Sequence, residues 1–326
     1  MAVLDRSSIR SLPLGDQLLD IGQCQGLRVL CVSEVGWWDD AKVINDVVAN
    51  GGLAASQWTA PWQNDNAAGA CNLVEVDYPG GATRRFLLDC GWDPDYIARR
   101  LAQTGVDRMI ADGQVEFLYM SHEHMDHFFG VEAVLKLRPD LPVIVPETFS
   151  QKALDFLAGR GDGGGGSRND VAHAGPLIRL EVGMIHQLMP GCASVTFDVP
   201  IILDVRGEQS LYFLVAEKGL VAMAGCCHQG MRQFLELPGR HLNGAARLYG
   251  LYGGMHIAPF GEMAAEQEQA IDWLVEQKPC VVAANHCTGL AAIEKMREKG
   301  LPVLGGSGRD GSGSDLYTGN GDWVDF

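Results

Sequence analysis

Three segments of this chain share one design. Each is an apolar, β-branched run that ends in histidine or cysteine and then passes into a helix-like stretch: VEFLYMSHEHMDH (115–127), LVAMAGCCHQG (220–230) and CVVAANHCTG (280–289). Polar side chains set at the carboxyl ends of several strands are the geometry of a converging site, because the strands behind them form a rigid platform. The fold must therefore bring these strand ends together.

The elements around them fit such a fold. Strand-like runs occur at 26–33, 71–78, 84–91, 141–146, 210–217 and 247–253, and helix-like spacing of apolar residues at 94–103, 129–137, 149–159, 230–237, 262–277 and 290–299. Strands alternate with helices, yet 71–78 and 84–91 flank PGGA as a hairpin. This mixture predicts an α/β sandwich: two mixed sheets packed face to face, with helices outside. No long linker divides the chain, so residues 1–326 are read as one domain. Residues 1–68 form an N-terminal strand and a Trp-rich loop region, and 69–326 the core. AGRGDGGGGSRND (158–170) reads as a flexible loop, since no G-K-[ST] follows its glycines. The glycine-rich tail ends in a β-prone segment, DWVDF, expected to add a last strand.

Charge narrows the partners. With 41 acidic against 25 basic residues the net charge is −16, which repels phosphate backbones and anionic membranes. A small-molecule substrate is expected, with no nucleic acid and no membrane; homo-oligomerisation stays open. The N-terminus lacks the features of a secretory signal, and no run approaches the roughly 18 apolar residues of a membrane span. Nine scattered cysteines read as reduced, buried thiols of a cytoplasmic protein.

The loop SHEHMDHFFG (121–130) carries the chemistry. On an extended or turning segment His122 and His124 face the same side and can reach one cation, while Asp126 and His127 can serve a second. Imidazole and carboxylate suit Zn2+ first, with Mn2+ or Fe2+ as alternatives.

The H-x-H-x-D-H pattern of this loop resembles the signature of the metallo-β-lactamase superfamily. FLLDCG resembles that family's first motif and implies that Asp89 orients a ligand near the metals. AGCCHQG, YGGMHI and ANHCTG resemble segments of the branch that contains 7,8-dihydropterin-6-methyl-4-(β-D-ribofuranosyl)aminobenzene-5′-phosphate synthase. The resemblance implies the family's αββα sandwich and two divalent ions, with His122 and His124 on the first and Asp126, His127 and His286 on the second. The usual third histidine motif is missing. His228 is favoured to complete the first site over His186, and the bridging position falls on Cys226, for which a buried inert thiol is the rival reading. Cys227 reads as structural. His256 is expected near the mouth as a substrate contact or proton donor, with a core or loop histidine as the rival.

Two such ions about 3.5–4 Å apart lower the pKa of a shared water from about 15.7 towards 7 and polarise a carbonyl or phosphoryl oxygen. The expected function is hydrolysis of a small ester, lactone or phosphoester by a metal-bridging hydroxide, with Asp126 and His256 as catalytic residues. The alternative is a pterin-related synthase or lyase of the same branch. Trp37, Trp38 and Trp62, with Trp58, crowd the region before the core; the first three are expected to wall a substrate pocket for an aromatic or heteroaromatic compound, against the rival that the tryptophans cap the sandwich edge.

Overall fold

The computed structural model describes residues 6–326. Its strands are β1 (Arg10–Pro13), β2 (Gly26–Ser33), β3 (Cys71–Asp77), β4 (Thr83–Leu88), β5 (Leu118–Tyr119), β6 (Val143–Pro146), β7 (Leu177–Leu180), β8 (Met184–Met189), β9 (Cys192–Ile201), β10 (Val205–Val215), β11 (Gly219–Ala224), β12 (Leu248–Gly254), β13 (Val281–Asn285) and β14 (Trp323–Asp325). They form two seven-stranded sheets, in the orders β14-β2-β3-β4-β5-β6-β7 and β1-β8-β9-β10-β11-β12-β13.

Alternation along each strand builds three apolar layers. In β3 and β4, Val74, Val76, Phe86 and Leu88 face the second sheet, whereas Leu73 and Leu87 face outward onto helices. In β11, Val221 and Met223 meet the first sheet, and Ala222 and Ala224 turn to the opposite helices. Both faces of these strands are buried, so their sequences read as nearly unbroken apolar runs. Phe86 stacks on Phe117 at 4.7 Å and on Phe213 of the facing sheet at 6.5 Å. Each such fully buried side chain contributes about 1.5–3 kcal/mol relative to exposure. The sandwich foreseen from the alternation is the observed architecture, and the hairpin across PGGA is the antiparallel pair β3–β4.

Several local expectations differ. The Trp-rich region contains a helix, Asp40–Ala49, whose start is set by Asp39 accepting the Ala41 N–H at 2.9 Å. The run 115–121 pairs as a strand only at Leu118–Tyr119, between β4 and β6.

The glycine-rich segment is packed, not free. A Cβ on Gly164 would lie 2.3 Å from the Gln57 carbonyl oxygen, and one on Gly165 would lie 2.5 Å from that of Trp62. Glycine is required there for close approach. Trp62 beneath it is buried, donates its indole N–H to Gln57 O at 2.9 Å and meets Trp92 edge-on. Gly164→Ala is expected to cost about 1–3 kcal/mol by overpacking, measured by urea denaturation; a mobile surface loop would tolerate the methyl within about 0.5 kcal/mol.

All nine cysteines are free, eight of them buried and Cys280 exposed. Among the described residues no helix is long and apolar enough to cross a membrane.

Candidate metal centre

The site stands where strands end. β2 runs into Glu34, β4 into Asp89, β5 into the 121–128 loop, β11 into Cys226–His228, β12 into His256 and β13 into His286. Parallel pairing of β4 with β5, and of β11, β12 and β13 with one another, aligns these carboxyl ends.

Four imidazoles of the inner cluster are each held by one nitrogen and offer the other. His127 donates Nδ1–H to Asp89 Oδ2 at 2.7 Å, and His286 donates Nδ1–H to the Glu34 carbonyl at 2.7 Å. His124 donates Nε2–H to the Ile202 carbonyl at 3.1 Å. The Ser121 hydroxyl donates to Asp89 Oδ2 and so receives Nδ1–H of His122 at 2.8 Å. These acceptors fix the outer N–H of each of the four rings, so in its neutral form each ring turns a lone pair inward. The inner nitrogens crowd together: His127 Nε2 lies 3.1 Å from both His286 Nε2 and Cys226 Sγ, and His122 Nε2 lies 3.0 Å from His124 Nδ1. Two such lone pairs cannot hydrogen-bond each other while both N–H groups point outward.

Three donor triples result among the described residues, His122–Cys226–His228, His127–Cys226–His286 and Cys226–His256–Cys287, each with its ligand atoms within 4.8 Å of one another. Asp126 Oδ2 approaches His286 Nε2 at 3.3 Å and His127 Nε2 at 3.9 Å. The ring of His228 lies 5.0 Å from His122, and its buried Nε2 finds no partner among the described residues. His186 sits elsewhere, on β8, with Nδ1 against the Ser11 hydroxyl and Nε2 against the Glu181 carbonyl. The geometry thus brings His228, and not His186, to the cluster. His256 is 4.4 Å from His228, and its buried Nδ1 is likewise unpartnered among the described residues.

The electrostatics suit a cation. Burial and neighbouring imidazoles hold His122 and His228 well below the ordinary histidine value, and burial takes His124 down to about 4, so these rings are neutral ligands at neutral pH. Burial also lowers His286, but the Asp126 carboxylate outweighs it and pushes His286 up to about 10. The positive charge that Asp126 attracts there is one a dication can replace. Burial pushes the Cys226 thiol up; a dication beside it would reverse that sign.

The backbone is strained around this cluster. Asp89, Cys227, His256 and His286 all have positive φ, between 45° and 61°. Such conformations cost non-glycine residues of order 1–2 kcal/mol each and persist where the surroundings enforce them. Gly36 completes the packing, for a Cβ there would lie 2.9 Å from Asp126 Oδ2 and 3.1 Å from His286 Cε1.

Two supports escaped the sequence. Glu208, fully buried in β10, accepts the backbone N–H groups of Cys226, Cys227 and His228 at 2.9, 2.8 and 2.7 Å. Gln57 donates to Glu123 O and accepts the Met125 N–H, clamping the histidine loop from the N-terminal region. Glu208 stands in the polar stretch VRGEQS (205–210), ahead of the apolar run, so no local signal marked it, and Gln57 had none either. Of the tryptophans, Trp37 and Trp38 border a cavity beside His286, whereas Trp62 lies in the core and does not reach it.

Residues 67–187 match the family model of the metallo-β-lactamase superfamily, a span that holds Asp89 and the whole histidine loop. The chain carries a metallo-β-lactamase domain. It is 22% identical over 255 residues to the 7,8-dihydropterin-6-methyl-4-(β-D-ribofuranosyl)-aminobenzene-5′-phosphate synthase of Methanocaldococcus jannaschii, covering 70% of this chain and 83% of that one. Among solved structures, a metal-dependent hydrolase of the β-lactamase superfamily aligns with a TM-score of 0.56 at 18% identity, over 91% of this chain and 98% of the other. Zn2+-bound PqqB of Methylobacterium extorquens aligns at 0.50 and 11% identity, over 92% and 100%. At these identities the structural likeness speaks for the metallo-β-lactamase fold alone.

Proposed function

We propose that this metallo-β-lactamase domain is a dinuclear metal-dependent hydrolase of a small molecule. The observation that carries the reading is the convergence of the inner nitrogens of His122, His124, His127 and His286, whose outer nitrogens are each pinned to an oxygen acceptor. Such pinning fixes both the tautomer and the orientation of a histidine ligand. His122, His124 and His228 would hold one cation and Asp126, His127 and His286 the other. Cys226, shared by the His122–His228 and His127–His286 triples, would lie between them. The mixed nitrogen, oxygen and sulfur donors suit Zn2+, with Mn2+ or Fe2+ as alternatives.

When bound, the cations would supply Lewis acidity, lowering the pKa of water and polarising a carbonyl or phosphoryl oxygen. The protein supplies the rest. Asp89 keeps the proton on Nδ1 of His127 and so keeps Nε2 free as a donor to the cation. Asp126, held well below the ordinary carboxylate range by His127 and His286 despite its burial, stays ionised, so that it can bind a cation and orient water through its second oxygen. His256, at the edge of the cluster, would donate a hydrogen bond or proton to the leaving group. The charge of −16 disfavours nucleic acid as substrate.

The test is metal analysis of the purified protein with a panel of chromogenic esters, lactones and phosphodiesters. About two ions per chain and hydrolysis lost on chelation and restored by Zn2+ or Mn2+ are expected. Metal-free protein after careful loading would sink the reading. A second reading rests on the similarity to the Methanocaldococcus jannaschii synthase: bond formation or cleavage at a pterin-linked compound. Turnover of a dihydropterin without turnover of the panel would select it.

A further inference from the structure

A cavity of about 280 Å³ opens beside the metal centre, with His286 in its wall. Trp37, Trp38 and Tyr317 border it, together with two carboxylates, Glu34 and Asp40. Among the described residues that border it there is no lysine or arginine.

Glu34 is the informative group. It is only 5% exposed, and both hydrogen bonds it receives from side chain and backbone, from Tyr317 Oη and Gly313 N, go to Oε1. Among the described residues no hydrogen bond reaches its other oxygen, Oε2, which is not one of the fully buried unpartnered atoms and so remains accessible to solvent. A buried carboxylate normally has its acceptors filled. An open acceptor beside a cavity is an anchor for a donor that comes from outside. Asp40, already accepting the Trp37 indole N–H at 2.5 Å, adds negative charge at the mouth. Indole and phenol rings attract cations through their negative faces, and a cation there would meet two carboxylates, with His286 as the one basic side chain in the wall. The overall charge of −16 favours approach of positive ligands and disfavours negative ones.

We propose that this cavity receives a planar, N–H-bearing cationic group of the substrate, such as an amidinium, a guanidinium or a protonated aromatic amine. The group donates to Oε2 of Glu34 and lies among Trp37, Trp38 and Tyr317. The proposal deepens the hydrolase reading and rests on it only in calling the ligand the substrate: His286 belongs to the cavity wall and to the donor cluster, so a group seated here leaves the remainder of the molecule beside the metals. Anionic headgroups are rejected at this end.

The test titrates the full-length, Zn2+-loaded protein with benzamidinium, benzamide and benzoate, three planar probes of like size and different charge, read by tryptophan fluorescence. Benzamidinium is expected to bind at least about tenfold more tightly than benzamide, with benzoate weakest. Glu34→Gln and Asp40→Asn should each remove most of the preference, and the preference should shrink in high salt. Equal binding of the three probes, or a preference for benzoate, overturns the proposal. Should Glu34→Gln fail to fold, Asp40→Asn, at an exposed position, carries the comparison alone. If no ester, lactone or phosphodiester is hydrolysed, the hydrolase reading falls while the probe preference still decides this site. If hydrolysis proceeds without a charge preference among probes, this proposal falls and hydrolysis stands.

Discussion

Replacement of His286 by alanine is expected to lower bound metal from about two ions per chain to about one and kcat/KM by about 10³-fold or more. The ring contributes more than one donor atom. Its Nε2 stands 3.1 Å from His127 Nε2 and 3.3 Å from Asp126 Oδ2, so it ties together the two other groups assigned to the same cation. A Lewis acid supplies several kcal/mol of stabilisation to charge developing in the transition state, and about 4 kcal/mol corresponds to a thousandfold in rate. The loss should fall on kcat rather than on KM if the ion acts in the transition state and not merely in substrate binding. Metal content by elemental analysis and steady-state kinetics on the same preparation check it. Full metal content with unimpaired turnover in His286→Ala would remove this histidine from the centre.

The second large effect belongs to Glu208. Truncation to alanine leaves three buried backbone N–H groups, of Cys226, Cys227 and His228, without their acceptor. Hydrogen bonds to a charged group contribute about 1.5–3 kcal/mol each, and an orphaned buried donor costs about 1–3 kcal/mol. These values do not add fully, and a net loss of about 4 kcal/mol is expected in urea denaturation. Cys227 makes the loop more demanding still, since its φ of 61° is tolerated only while its neighbours are held. Glu208→Gln separates stability from the site. The amide oxygen can still accept from Cys226 and Cys227, but its NH2 group faces the His228 N–H. That variant should keep most of its stability yet bind its first metal about 10–100-fold more weakly, as loss of a ligand's support commonly does. Equal metal affinity in Glu208→Gln and the parent would make the clamp purely structural.

Much of the architecture was legible because its signals are local. The apolar runs in 71–78, 84–91 and 220–226 are strands in the structure, since a strand with apolar layers on both of its faces needs a nearly unbroken apolar sequence. The hairpin across PGGA likewise depends on a few adjacent residues. The helix Asp40–Ala49 was not legible because Val43 is its one buried apolar residue while Ile44 and Val48 are exposed, so no buried apolar stripe marks it. The glycine run 163–166 reads as slack in the sequence, though it is packed against Trp62. Glycine serves flexibility and close approach with the same letter, and only the neighbour across the gap distinguishes them.

The sequence by itself determined the donor-rich loop at 122–127, the strand ends that carry Cys226, His228 and His286, and the sandwich that can gather them, because spacing and periodicity act within a few residues. Tertiary structure alone decided that His228 joins the cluster while His186 is consumed by Ser11 and Glu181. It also decided that Trp62 is core while Trp37 and Trp38 border a cavity, and that Glu208 and Gln57 brace loops far from them in the chain. These outcomes depend on which strand lies beside which and on which face a side chain takes. Both are set by the competition of whole sheets to bury their apolar surface, and no short window of residues contains it.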